Sequence, residues 1–248
     1  MALCAWFAIA PITIQLMNSP AAAQIASITW STDVLSQYLG SDTGTRLHDK
    51  PVVQSNLNVQ MKNGFYLNLW GSKSLDREPP AENFGNEIDY MVGWTGAVGP
   101  INADLNVAYW DISDRLLFQG HGDVVQLTIE VSKEFGFGVH TITPYVKLEP
   151  TFPLDGTADG AYVHVGVRHK LNLTDSVAFT QGGRIIYDSG VFGNVSGYNF
   201  RYDSAFAWNL SKNVTLRLPT LRAFLPITDL GFNRRAGYIF GAGFDVNY

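Results

Sequence analysis

The last twelve residues, GYIFGAGFDVNY, place Tyr238, Phe240, Ala242, Phe244, Val246 and Tyr248 at one parity, and Ile239, Gly241, Gly243, Asp245 and Asn247 at the other. Alternation of this length marks a strand with two unlike faces, because successive side chains of a pleated strand point to opposite sides. The period recurs along the chain. In VVQSNLNVQM, Val53, Leu57, Val59 and Met61 oppose Gln54, Asn56, Asn58 and Gln60. Ile88, Tyr90, Val92 and Trp94 oppose Glu87, Asp89, Met91 and Gly93, and the pattern returns from Ile101 to Trp110, Val125 to Ser132, Ala161 to Arg168 and Tyr198 to Trp208. Weaker candidates at 28–39, 65–73, 141–149, 177–188 and 214–225 bring the total to about twelve, each long enough to cross a bilayer when tilted.

The connections alternate as well. Lys62-Asn63-Gly64, Gly99-Pro100, Thr174-Asp175 and Lys212-Asn213 are tight-turn signals, and EFGFGVH is a looser member of the same class. Between them lie longer stretches such as GSDTGTRLHDK, KSLDREPPAENFGN and DISDRLLFQGHGD. One plain rim and one elaborated rim is the plan of an outer-membrane barrel, and a soluble sandwich has no reason to alternate in this way.

One face of nearly every strand carries Asn, Gln, Asp, Glu, Lys or Arg, too many polar groups for a dry core. The apolar face is therefore expected outward, toward outer-membrane lipid and lipopolysaccharide. Trp94, Tyr109, Tyr198, Trp208, Tyr238 and Tyr248 are then expected at the interfacial girdles. The fold class that follows is all-β, an up-and-down antiparallel transmembrane barrel over residues 24–248. Its aromatic C-terminal strand resembles the signal read by the barrel-assembly machinery of Gram-negative bacteria.

Composition narrows this further. Beyond the N-terminus there is no run of eighteen apolar residues, so helical spans are not expected. A balance of 17 basic against 22 acidic residues, net −5, gives no electrostatic footprint for nucleic acid. Residues 1–23 form an apolar segment ending in Ala21-Ala22-Ala23, an expected export signal. The one cysteine, Cys4, lies inside it, so the exported chain would carry no disulfide.

The motifs GFYLNLWGS (Gly64 to Ser72), EIDYMVGW (Glu87 to Trp94) and LNVAYWDI (Leu105 to Ile112) come in an order that resembles the TorF family of proteobacterial porins. The resemblance covers about residues 27–112. It implies an outer-membrane channel and transfers no catalytic residue.

The chain carries no G-x-S-x-G, no H-E-x-x-H and no glycine-rich phosphate loop after a strand, so neither catalytic residue, metal nor cofactor is expected. His164 and His169 fall at opposite parities of one strand and cannot share a metal. A rim cluster of Asp111, Asp114, His121 and Asp123 is the one constellation suggesting an outer-membrane hydrolase, and a solvated loop is the simpler reading. A closed structural or adhesive barrel is the third. The inward charges are more informative. Glu87, Asp89, Asp104 and Glu130 come from the fourth to sixth strands, whereas Lys147, Arg168, Lys170, Arg184, Arg201 and Arg217 come from the seventh to eleventh. Together with His164 they are the expected channel lining. They either pair into a plug or set a transverse field that orients small hydrophilic solutes diffusing through.

Overall fold

The computed structural model describes residues 24–40, 42, 44–76, 86–112, 123–229, 234 and 236–248. The expected export segment, and Asp114 and His121 of the rim cluster, lie outside the described residues.

Twelve strands close into an antiparallel barrel: β1 (Ile25–Leu35), β2 (Val52–Met61), β3 (Phe65–Ser74), β4 (Glu87–Val98), β5 (Ile101–Asp111), β6 (Val124–Ser132), β7 (His140–Pro153), β8 (Gly160–Asn172), β9 (Val177–Asp188), β10 (Gly197–Asn209), β11 (Val214–Pro226) and β12 (Gly237–Asn247). Each pairs with its neighbour in sequence, and β12 returns to β1 with Thr29 opposite Asn247 and Leu35 opposite Gly241. Closure leaves no free sheet edge, the condition for a sheet in hydrocarbon. The three-residue strand Phe135–Phe137 extends the β6–β7 connection against His140–Ile142.

The tight turns form as their residues dictate. Gly64, at φ +92°, closes the β2–β3 hairpin, and a side chain there would collide with the Thr95 carbonyl 2.5 Å away. Asn63 Oδ1 accepts the Phe65 N–H at 3.2 Å, the local side-chain bond that makes Asn a turn residue.

Solvent exposure fixes which face is which. Val165 is 59% exposed while the adjacent His164 is fully buried, and Phe240 is 59% exposed beside Ile239 at 1%. Leu67, Val92, Leu105, Val107, Ile129 and Val146 continue the exposed apolar band around the barrel. An apolar belt of this extent has no place on a water-soluble monomer. Aromatic pairs bracket it. Trp30–Phe244 and Phe206–Trp208 lie toward the short-turn rim, and Tyr187–Tyr198 toward the long-loop rim.

The first expected strand, 28–39, is divided. β1 ends at Leu35, and Tyr38–Leu39 pairs instead with Arg46–His48 in a small hairpin within the first long loop. This hairpin folds inward. Tyr38 and Leu39 are buried with Leu35, Val52, Phe224 and Ile239, an apolar knot inside the long-loop end of the barrel. Gly237 leaves the space for it, since a Cβ there would lie 2.6 Å from Leu39.

Candidate functional site: a lumen narrowed by the first loop

The inward face of the strands encloses a cavity of about 650 Å³, bordered at its mouth by the first loop. Of the expected lining, Glu87, Asp89, Lys147, Arg184 and Arg201 border this cavity, whereas Asp104, Glu130, His164, Arg168, Lys170 and Arg217 do not. Those six are placed elsewhere. Asp104 accepts from Tyr66 Oη at 2.9 Å and from Asn106. Glu130 pairs with Arg168, whose guanidinium stacks 4.2 Å from the centre of the Tyr145 ring. Lys170 is exposed near the short-turn rim.

The basic arc carries its own counter-charges. Arg217 contacts Asp245 and Asp33, each at 3.0 Å, and Arg222 reaches Asp33 at 3.5 Å and Asp203 at 3.8 Å. Asp203 in turn pairs with Arg201 at 2.8 Å and Arg184 at 3.5 Å. The result is one ionic belt running from β9 through β12 to β1. Asp33 fits because its neighbour across the closing seam is Gly243, where a Cβ would overlap its carboxylate. Replacing Asp33 with Ala should leave Arg217 to Asp245 and Arg222 to Asp203 alone, at a cost of about 1 kcal/mol because both arginines are partly exposed and keep a partner. The drop in the urea midpoint of detergent-refolded protein checks it.

On the neighbouring wall Lys147 Nζ and His164 Nε2 each lie 2.6 Å from Glu149, one on each carboxylate oxygen. The first loop joins this group through Asp42, 3.7 Å from His164, and its backbone carbonyl accepts from Asn199 Nδ2 at 3.2 Å. Asp42, Glu149 and His164 offer one ligand atom each within 4.8 Å of one another. Lys147 already neutralises Glu149, and the group holds the loop through the contacts of Asp42 with His164 and Asn199. His169 faces the other way, 3.1 Å from His140, as the parity of the strand requires.

Two further contacts narrow the same end. Asp188 Oδ1 accepts the N–H groups of Gly190 and Val191 at 2.8 and 2.9 Å, drawing the β9–β10 loop inward, and its Oδ2 meets Arg234 at 2.5 Å. Val191 packs on Tyr162 and Ile186 in a second small apolar knot.

The acidic wall differs from the belt. Tyr38 Oη donates to Glu87 Oε2 at 2.5 Å, and Asp89 sits beside Glu87. Among the described residues no cationic side chain pairs with either carboxylate. Burial, and then the nearby Glu87 and Asp89 charges, hold the Tyr38 phenol well above its ordinary value, so it remains a hydrogen-bond donor.

Sequence reasoning missed Asp33, Asp42, Glu149, Arg222 and Arg234 as functional positions. Period-two parity alone places Asp33 and Glu149 on the inner face. Asp42 and Arg234 lie in long loops, where nothing in the pattern says that the chain turns inward.

Comparison with known proteins agrees with this architecture. A model of the family Gcw_chp, described as bacterial proteins of unknown function, matches residues 21–204. No curated protein matches the chain. Among solved structures, the KdgM porin in complex with disordered oligogalacturonate aligns over 90% of this chain and 99% of its own, with TM-score 0.56 at 9% identity. The NanC porin aligns over 88% and 98%, with TM-score 0.56 at 6% identity. LpxR from Salmonella typhimurium aligns over 88% and 99%, with TM-score 0.52 at 7% identity. At such identities the likeness is one of fold, a closed outer-membrane β-barrel.

Proposed function

The chain belongs to the Gcw_chp family, and from the geometry of its lumen we propose that it is an outer-membrane channel through which small hydrophilic solutes diffuse. The observation that carries this reading is the cavity of about 650 Å³, bordered by charged and amide side chains among aromatic and aliphatic ones, within a barrel whose outside is apolar. A purely structural barrel gains nothing from so many costly polar groups facing its interior. The porin fold of its neighbours KdgM and NanC supports the same reading. So does the resemblance of Gly64 to Ile112 to the TorF porins. On this reading the protein resides in the outer membrane with its long loops outward, after removal of residues 1–23 on export.

Six carboxylates and four cationic side chains border the cavity, so a mild preference for cations is expected. Reversal potentials of the protein in planar bilayers test this. Arg184→Glu and Arg201→Glu should each move selectivity further toward cations, and Asp89→Asn toward anions. A folded wild-type protein that never conducts would overturn the channel, and unchanged selectivity in all three variants would remove these residues from the conducting path.

A further inference from the structure

One stretch of the lumen wall has a chemistry that neither the ionic belt nor a plain water-filled pore requires. On the inner face Asp89 lies directly between two indoles, since it is the register partner of Trp70 on β3 and of Trp110 on β5, and all three border the cavity. Tyr38 lies over Trp70 with ring centroids 6.0 Å apart. Trp70 packs in part on the apolar knot of the first loop, yet like Trp110 it is only partly buried, so each indole leaves apolar surface facing the cavity, where water wets it at a cost.

Beside this row, Gln54 lines the same cavity at 5% exposure with no hydrogen-bond partner for its Nε2. A buried amide left unpaired is destabilising, so the position calls for a partner that the protein does not itself supply. Flat apolar rings, carboxylate acceptors and a free amide donor are complementary to one kind of solute. A pyranose ring has a C–H face that packs on an indole and a rim of hydroxyls that each donate and accept. The cavity also falls within the range of small-molecule sites, about 300–1,000 Å³.

We propose that Trp70, Trp110, Asp89, Glu87 and Gln54 form a binding site for an uncharged pyranoside. The site deepens the channel reading, on which it rests only for the route by which the sugar arrives. An acidic sugar is disfavoured there. Glu87 and Asp89 offer it no cation, and Arg201 and Arg222 are already engaged by Asp203 and Asp33.

The test uses the refolded full barrel in a polyoxyethylene detergent free of sugar headgroups, and the same preparation in planar bilayers. Binding of maltose, methyl glucoside, galacturonate and tetramethylammonium is followed by saturation-transfer NMR, and block of ionic current by titration. Maltose is expected to bind and to block, with galacturonate weaker. Trp70→Ala and Trp110→Ala should each weaken maltose roughly tenfold, the equivalent of one lost aromatic stacking contact. Trp70→Phe, which keeps a ring at the position, should recover most of the loss and guards against a folding defect. Conduction without maltose binding overturns the site while leaving the channel standing. Binding without conduction leaves the site standing and removes the channel. Maltose affinity unchanged in both alanine variants, or binding of tetramethylammonium in place of maltose, overturns the proposal.

Discussion

Removing the inward hairpin of the first loop, by joining Gln37 to Asp49 through a short glycine linker, should raise single-channel conductance several-fold without unfolding the barrel. The hairpin narrows the cavity mouth from inside, with Tyr38, Leu39 and Leu47 packed on wall residues Phe224 and Ile239. None of the twelve barrel strands loses a pairing partner when it is removed, because its own two strands pair only with each other. The folded barrel is verified by its heat-modifiable migration on gels before conductance is compared. Unchanged conductance would mean that the narrowest point lies elsewhere, at the Glu130–Arg168 pair or beyond.

Replacing Leu127 with Arg should cost about 2–4 kcal/mol of folding free energy in lipid, because a charge is then placed on the hydrocarbon-facing side of the wall. Leu127 is 37% exposed and lies on the outer face of β6. Its neighbour Gln126 does not serve as the harmless inner control that alternation alone suggests. It is 4% exposed and donates to Thr151 Oγ1 at 3.1 Å, so an arginine there would meet a packed wall. Asn56 is the better control, since it borders the same cavity but is only partly buried. Urea titrations in vesicles should show a clear loss for Leu127→Arg and little for Asn56→Arg. Equal losses at the two positions would contradict the assignment of inner and outer faces.

Much of the barrel was legible in the sequence because parity is a local property. Each strand states its own two faces, and each Asn-Gly or Gly-Pro step states its own turn. The twelve strands and the alternation of short and long connections follow from those signals without any knowledge of neighbours. The constriction depends on relations the pattern does not contain. Asp42 within GSDTGTR reads as an ordinary turn residue, and only the placement of the loop brings it to His164 and Asn199. Pairing within the basic arc depends on register as well. Arg222 faces Asp203 because β10 and β11 align them, and Asp33 meets Arg217 across a seam that joins the two ends of the chain. A signal for the inward loop did exist. Leu35, Phe224 and Ile239 are apolar residues at inward parity, all next to long connections. In a wet pore such positions require a cover, and the first loop supplies it.

The closing seam also dictates the order in which the molecule can be made. Thr29 Oγ1 bonds Asn247 Oδ1, a partner 218 positions away, and the Tyr248 N–H reaches the carbonyl of Ile28 at 2.9 Å. A piece of the chain that lacks these last residues cannot complete this contact, so every nascent form carries β1 as an open strand edge. Pairing at such separation is slow, because loop-closure entropy is spent before the contact forms, and an open edge meanwhile invites pairing with other chains. The chain must therefore be kept apart from its copies until Tyr248 has emerged, and the barrel then forms as a whole.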